Sequence, residues 1–258
     1  PHEPDYPYLH SQHGNAQPEE WLPANTSFVS ARHAANHGGR HYVYNGLDLE
    51  EYPFVDKPED YFSFLARITL KRKNLRQAIR IMKITGHKLK VGGGRRLSLN
   101  ARIQYLGMVG GKQKLDLLGK ARGLIFPTAW EEPMGLNVIE SMACGAPCIV
   151  SDRGAMPELV DRSTGFVCRS DADYVEAVNT IDSLDRTACR DRVKQLFSKE
   201  KMAQGYLELY EKILSHPQNL LYPDLDINAH PNRGNGEEIP LPDRDRKKAQ
   251  GESRPSKN

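Results

Sequence analysis

The sequence predicts an α/β fold in which a parallel β-sheet is covered by helices on both faces. Short apolar runs alternate with amphipathic stretches between residues 61 and 214. This alternation is typical of parallel strands that are joined by helices. The chain has 258 residues, of which 38% are hydrophobic, and this length suffices for one large domain or two smaller ones.

The predicted strands are short apolar runs. They cover residues 61–68, 87–94, 102–109, 123–128, 146–151 and 164–168. Helices are predicted over 74–86, through Leu115, Leu118 and Ala121, beyond Gly135, and over 172–184, 187–196 and 199–214. In the helix over 74–86, Leu75, Ile79 and Met82 recur at helical spacing, and Gly86 is the expected C-terminal cap.

Three segments flank the alternating core, which spans residues 47–199. Residues 1–46 form a block that is too short for a complete α/β domain, with strands predicted at 7–14 and 25–33 and an Asn-Gly turn at its end. Residues 200–215 form one more helix. Residues 216–258 contain six prolines and equal numbers of acidic and basic residues, and this composition predicts a disordered polar tail.

Composition excludes several classes of protein. The net charge of +3 is too small to require a nucleic acid, and the basic runs lack the interleaved aromatic residues of an RNA-binding surface. No apolar run is long enough to span a bilayer, although peripheral association with a membrane stays open. The chain has four scattered cysteines, which suit a reducing compartment, so a cytoplasmic location is expected.

Residues 130–151, WEEPMGLNVIESMACGAPCIVS, contain the main chemical signal. Glu132 lies in a loop with a proline and a glycine, whereas Glu140 lies among apolar residues, where a carboxylate is costly unless it is paired. Pro133 suits the first turn of a helix. The backbone amides of residues 134–136 would then point outward and form an anion site. Glu140, one turn inside the helix, could accept hydrogen bonds from two ribose hydroxyls at the carboxyl end of a strand.

A group of cations is expected at the end of the first strand of the core. Arg67 ends this strand, and Lys71, Arg72 and Lys73 follow before the next helix. Cations and helix amides can stabilise the charge that develops on a departing diphosphate. No carboxylate pair beside these cations suggests a metal site, so neither a metal nor another cofactor is expected.

These motifs together resemble those of family 4 retaining glycosyltransferases, which have the two-domain GT-B fold. The resemblance covers residues 40–215 and is carried by VYNGLDLEEY, FLARITLKRKN, KLKVGGG, IQYLGMVGGKQKLDLL, the 130–151 stretch, GAMPELV and STGFV. It implies that residues 47–199 are a Rossmann-like C-terminal domain that binds a nucleotide-sugar donor. By the same resemblance, residues 200–215 are the crossover helix, and residues 1–46 are a truncated remnant of the N-terminal acceptor domain.

The resemblance also implies a role for each residue at a matching position. Glu140 would bind the ribose, and Glu132 would contact the transferred sugar as the candidate catalytic residue. The remaining donor-binding residues are the amides of Met134, Gly135 and Leu136, together with Arg67, Arg72 and Lys73 at the diphosphate. The implied reaction moves a hexose-type sugar from a UDP-, GDP- or ADP-linked donor to an unknown acceptor hydroxyl. The anomeric configuration is retained and no metal takes part.

Several positions depart from the family pattern. Ala66-Arg67 replaces Gly-Arg, and the expected lysine position holds Arg72, with Lys73 one residue later, so either side chain could bind the diphosphate. Met134 replaces a common phenylalanine, and the segment between Gly94 and Ile103 is short. The family's cleft histidine has no clear counterpart.

Two other functions remain open. One is a non-catalytic nucleotide-sugar-binding module, because the acceptor domain is incomplete and the activity of this chain alone is uncertain. The other is a GT-B enzyme of another class, such as a nucleotide-sugar epimerase. His33 and His37 have the spacing of two metal ligands on a helix, but they lack further ligands at that spacing and are interpreted as incidental.

Overall fold

The computed structural model describes residues 3–17, 19–222 and 228. The strands are β1 (His10–Ser11), β2 (Thr26–Ser27), β3 (Phe62–Leu65), β4 (Leu89–Gly92), β5 (Ile103–Gly107), β6 (Gly123–Phe126), β7 (Cys148–Ser151) and β8 (Gly165–Cys168). The α-helices are α1 (Ala31–Asn36), α2 (Leu75–Thr85), α3 (Gly111–Gly119), α4 (Leu136–Ala143), α5 (Met156–Leu159), α6 (Asp171–Thr180), α7 (Arg186–Leu196) and α8 (Lys199–Ser215).

The main sheet has six parallel strands in the order β5-β4-β3-β6-β7-β8. The predicted α/β class with a Rossmann-like parallel sheet is therefore confirmed. The chain builds outward from β3 to β5 on one side and then from β6 to β8 on the other, so the strand order reverses between β3 and β6. At such a point the connections after adjacent strands diverge and leave a crevice at the carboxyl ends.

The strands are shorter than the apolar runs that predict them, because each run also contains the loop that follows the strand. The run at 61–68, for example, forms a strand only over Phe62–Leu65. The strands predicted at 7–14 and 25–33 form only the two-residue parallel pair β1 and β2. Helix α2 ends at Gly86 as expected, with a φ of 76° that favours glycine.

The main core lies between the sheet and its helices. Phe62, Phe64 and Ile125 of the strands are fully buried against Ile139 of α4 and Met82 of α2. Burial of each such side chain stabilises the fold by roughly 1.5–3 kcal/mol. This core holds the C-terminal ends of β3 and β6 and the N-terminal end of α4 in place. The candidate site lies at these ends.

A smaller core joins the N-terminal block to α8. Phe28 and Val43 of the block pack with Leu209 and Ile213 of α8. At the predicted Asn-Gly turn, a Cβ on Gly46 would collide with the backbone of Ser198. The turn therefore crosses directly over the start of α8.

The packed chain continues past residue 216, where the disordered tail was expected to begin. Tyr222 is 4% exposed. Its hydroxyl donates to the carbonyl of Thr26 and accepts from the amides of Arg40 and His41. The tail prediction was therefore wrong for residues 216–222, because two apolar side chains, Leu221 and Tyr222, complete the smaller core. Residues 223–227 and 229–258 lie outside the described residues.

Within residues 3–17, 19–222 and 228, no helix combines the length and the apolar composition needed to cross a bilayer.

Candidate functional site

The entrance of α4 forms one wall of the candidate site. The helix begins at Leu136, and Gly135 is its N-cap residue with a φ of 88°, where a Cβ would also collide with the Met156 side chain. Pro133 therefore lies before the helix and not in its first turn as expected, because Gly135 takes the left-handed conformation between them. The amides of Met134, Gly135 and Leu136 donate no hydrogen bond to a described residue. Unpaired amides at a helix N-terminus bind anions and polar oxygens.

Glu132 lies just before this entrance and is 9% exposed. Its Oε2 forms an ion pair with Lys73 and also accepts from Trp130 Nε1 at 2.7 Å. Its Oε1 has no donor among the described residues. One carboxylate oxygen is therefore fixed by the protein, and the other is available to a ligand.

Lys73 and Arg72 have different roles in the structure. Residues Lys71–Lys73 form a 3₁₀ helix, in which neighbouring side chains point about 120° apart. Lys73 reaches Glu132, whereas the Arg72 guanidinium stacks on the ring of Trp130 with its carbon 4.1 Å from the ring centroid. Arg72 Nε is buried and has no hydrogen-bond partner in the part of the chain that the structure describes. This geometry favours Lys73 over Arg72 as the ligand-facing cation.

Glu140 is held in the same manner as Glu132. Its Oε1 pairs with Lys114 Nζ at 2.6 Å and accepts from the Tyr52 hydroxyl at 3.0 Å. The Glu140 side chain is only 13% exposed, and its Oε2 has no donor among the described residues. Burial, and then the charge of Glu140, raise the pKa of Tyr52, so its hydroxyl remains a proton donor.

Arg67 lies two residues beyond the end of β3 and is exposed. Its side chain makes no ion pair or hydrogen bond with a described residue, so the structure does not bring it into contact with either glutamate. Asn137 of α4 donates to the carbonyl of Leu65 at 2.9 Å. This bond joins the first turn of α4 to the end of β3 and sets the helix entrance next to the strand that leads to Arg67.

The N-terminal block holds the loop that contains Glu132. Asn15 Nδ2 donates to the Glu131 carbonyl at 2.8 Å, and Arg32 Nε pairs with the Glu131 carboxylate at 3.0 Å. The Ser30 hydroxyl donates to the Pro133 carbonyl at 2.7 Å. The residues on both sides of Glu132 are thus tied to a second element, and this restricts the orientation of its side chain.

Glu158 provides a second contact between the block and the main domain. Its carboxylate accepts from the amides of Ala31 and Arg32 at 3.0 and 2.7 Å, and from the Tyr44 hydroxyl at 2.9 Å. A carboxylate at the start of a helix satisfies amides that have no partner within the helix. Burial and the neighbouring Glu158 raise the pKa of Tyr44.

The histidine pair of the block is structural. His33 Nδ1 accepts from the amide of Val29, and its Nε2 contacts the Gly14 carbonyl at 3.1 Å. Burial, with a smaller effect of His37, lowers the pKa of His33 to about 3. Among the residues that the structure describes, no group of three His, Cys, Asp or Glu side chains could hold a metal ion.

Sequence reasoning missed three residues that hold the two glutamates. Trp130 is adjacent to the motif, and Tyr52 ends the VYNGLDLEEY segment, but neither position indicates which carboxylate it contacts. Lys114 is 26 residues from Glu140 along the chain, and Tyr52 is 88 residues away. Their contacts depend on the tertiary fold.

The fold of this chain is similar to that of solved glycosyltransferase structures. AviGT4, a glycosyltransferase involved in avilamycin A biosynthesis, matches with a TM-score of 0.69 and 22% identity, over 80% of this chain and 68% of that structure. Anabaena Alr3699/HepE, whose structure contains UDP and glucose, matches with a TM-score of 0.64 and 15% identity, over 81% of this chain and 72% of that one. At these identities the likeness shows the fold alone.

Sequence comparison finds that part of this chain is similar to glycosyltransferases. Residues 59–183, just under half of the chain, match the family "Glycosyl transferases group 1". The alpha-maltose-1-phosphate synthase of Mycolicibacterium smegmatis is 33% identical over 113 residues, covering 38% of this chain and 29% of that protein. The N-acetyl-alpha-D-glucosaminyl L-malate synthase of Bacillus anthracis is 27% identical over 132 residues, covering 48% of this chain and 34% of that protein. The match spans about a third of the length of these relatives.

Proposed function

We propose that this chain is the donor-binding part of a family 4 retaining glycosyltransferase that moves a hexose-type sugar from a nucleotide sugar to an acceptor hydroxyl. One observation carries the proposal. Glu132 and Glu140 each have one oxygen fixed by a lysine and an aromatic N–H or O–H, and one oxygen without a donor among the described residues. Glu132 lies just before α4 and Glu140 lies in its second turn, and the first amides of α4 donate no hydrogen bond to a described residue.

The two carboxylates suit different parts of the donor. The free oxygen of Glu140 would accept hydrogen bonds from the ribose hydroxyls, because a buried acceptor gains most when it is paired. Glu132 would contact the transferred sugar near its reacting carbon. The amides of Met134, Gly135 and Leu136 would hold sugar hydroxyls and the distal phosphate.

Cations would compensate the charge of the departing diphosphate. Arg67 is exposed beyond β3 and has no anionic partner among the described residues, so it is available to a phosphate. Lys73 is placed beside Glu132 by its ion pair, and a bound diphosphate would give its ammonium a second anionic partner. Fixed cations and helix amides can stabilise such a leaving group in place of a metal. We therefore propose a metal-independent reaction.

The names of the relatives are consistent with hexosyl transfer. They include a phosphatidyl-myo-inositol mannosyltransferase of Propionibacterium freudenreichii, 27% identical over 136 residues. A second candidate function is a non-catalytic nucleotide-sugar-binding module, which would bind the donor without releasing its sugar.

Nucleotide binding and sugar release test these functions separately. The melting temperature of the purified chain would be measured with UDP, GDP and ADP, and with inorganic pyrophosphate as a control. We expect one nucleotide to raise it above the pyrophosphate value, since a ligand stabilises the native state that it binds. If no nucleotide or nucleotide sugar stabilises the chain, the proposal fails. Binding without sugar release, even in a chain extended N-terminally as far as its gene allows, would favour the non-catalytic module.

A further inference from the structure

Basic residues are concentrated in one continuous part of the chain. Residues 61–115 contain 14 lysines and arginines and no aspartate or glutamate, so the rest of the chain holds 22 of the 36 basic residues and all 33 acidic ones. This segment forms β3, α2, β4, β5 and the first turn of α3. The segment therefore contains the β5-β4-β3 half of the sheet. Although the net charge of the whole chain is only +3, the residues of this segment are strongly basic.

Much of this charge is not compensated within the fold. Five cations of the segment pair with acids from outside it: Lys73, Arg80, Lys88, Lys90 and Lys114. The other nine form no ion pair with a described residue. Four exposed cations of this unpaired group lie on the connection from β4 to β5 or just after β5: Arg95, Arg96, Arg102 and Lys112.

The same connection exposes large apolar side chains. Residues 95–102 form neither helix nor strand between β4 and β5, and Leu97 and Leu99 are fully exposed at 98% and 108%. Met108, just beyond β5, is 74% exposed. A Cβ on Gly107 would lie 2.9 Å from Arg95 Nε, so the basic end of the connection lies directly beside Met108.

We propose that residues 95–102, together with Met108 and Lys112, form a docking surface for an anionic phospholipid bilayer. Leu97, Leu99 and Met108 would enter the boundary between headgroups and acyl chains. The arginines and Lys112 would contact the lipid phosphates. Apolar side chains flanked by cations are the combination that binds membranes with negative surface charge. This proposal does not depend on the proposed sugar transfer.

Two features favour a bilayer over a nucleic acid. Residues 95–102 contain no aromatic side chain on which a base could stack. On a phosphodiester backbone the exposed leucines would remain hydrated, whereas a bilayer removes them from water. An anionic bilayer would therefore contact both the cations and the exposed apolar side chains of this surface.

Vesicle flotation tests the proposal with the whole chain. Wild type would be mixed with vesicles of phosphatidylcholine alone, and with vesicles in which one third of the lipid is phosphatidylglycerol. We expect binding to the phosphatidylglycerol vesicles only. The double variant Leu97→Ser/Leu99→Ser should bind about tenfold or more weakly, given the transfer free energy of two leucine side chains. Arg95→Gln/Arg96→Gln should also weaken binding and reduce its salt dependence.

A matched control is available on α8. Leu207 and Leu214 are 55% and 63% exposed, but Glu208 and Glu211 lie close to them in sequence, so Leu207→Ser/Leu214→Ser should leave vesicle binding unchanged. Circular dichroism and the melting temperature would confirm that each variant folds. The proposal is overturned if wild type does not bind phosphatidylglycerol vesicles, or if the α8 variant loses as much binding as the Leu97/Leu99 variant. It is also overturned if binding to single-stranded DNA is as tight as vesicle binding and both are insensitive to the leucine substitutions.

Discussion

Trp130 and Glu132 are joined by a hydrogen bond in which the indole Nε1 donates to Oε2 at 2.7 Å. The same indole ring stacks against Arg72, and Lys73 completes the contacts of this carboxylate oxygen. Trp130 therefore acts as a positioning residue, because it fixes Glu132 without presenting a reactive group of its own. Its bond to Oε2 leaves Oε1 of Glu132 without a donor among the described residues.

Replacing Trp130 with phenylalanine tests this positioning role. Trp130→Phe keeps an aromatic ring for Arg72 but removes the N–H, so Glu132 should sample more orientations. We expect kcat for sugar transfer or donor hydrolysis to fall about tenfold, the usual effect of one lost hydrogen bond to a charged group, with little change in donor KM. Trp21→Phe, the same change at the other tryptophan, should leave kcat unaltered. An equal loss in both variants would show that the effect is not specific to Glu132.

The two neighbouring cations should differ in their effect on diphosphate binding. Lys73→Met removes an ammonium that lies beside the site, whereas Arg72→Met removes a guanidinium that stacks on Trp130. Calorimetry with the best nucleoside diphosphate should show an affinity loss of about tenfold or more for Lys73→Met, from a lost charge-assisted contact, and a smaller loss for Arg72→Met. A larger loss for Arg72→Met would assign the diphosphate to Arg72.

The two carboxylates should separate nucleotide recognition from sugar transfer. Glu140→Gln removes the charged acceptor proposed for the ribose and should weaken nucleoside diphosphate binding by about tenfold. It should also reduce the preference for the ribonucleotide over its 2′-deoxy form. Glu132→Gln should retain that preference and nucleotide affinity while lowering the transfer rate. Comparable loss of nucleotide affinity in both variants would contradict this division.

The sequence predicted the parts of the fold and site that depend on local pattern. Hydrophobic periodicity and residues close in the chain predict the strand positions, the Gly86 cap and the two glutamates on either side of the α4 entrance. They do not predict which residues pair with those glutamates. Lys114 reaches Glu140 only because α3 packs beside α4. The different contacts of Arg72 and Lys73 depend on the directions of side chains in a 3₁₀ helix, which sequence spacing alone does not give.

The buried His33 should make stability depend on pH. Burial lowers its folded-state pKa to about 3 from an ordinary value of 6.5, so the unfolded chain takes up a proton at a higher pH than the folded chain. The contribution of the neutral side chain is therefore fully present above pH 6.5 and is lost as the pH falls toward 3. Below the unfolded pKa the free energy of unfolding should fall by about 1.4 kcal/mol for each pH unit from this group.

Urea unfolding at pH 7.5, 6.0 and 5.0 would measure this dependence. His33→Gln can still accept from the Val29 amide and donate toward the Gly14 carbonyl, the two contacts of the native ring, but it cannot be protonated. The variant should be less stable than wild type at pH 7.5 and should lose less stability between pH 7.5 and 5.0. His13→Gln, at an exposed histidine of the same block, should follow the wild-type curve. Parallel curves for wild type and His33→Gln would assign the acid sensitivity to other groups.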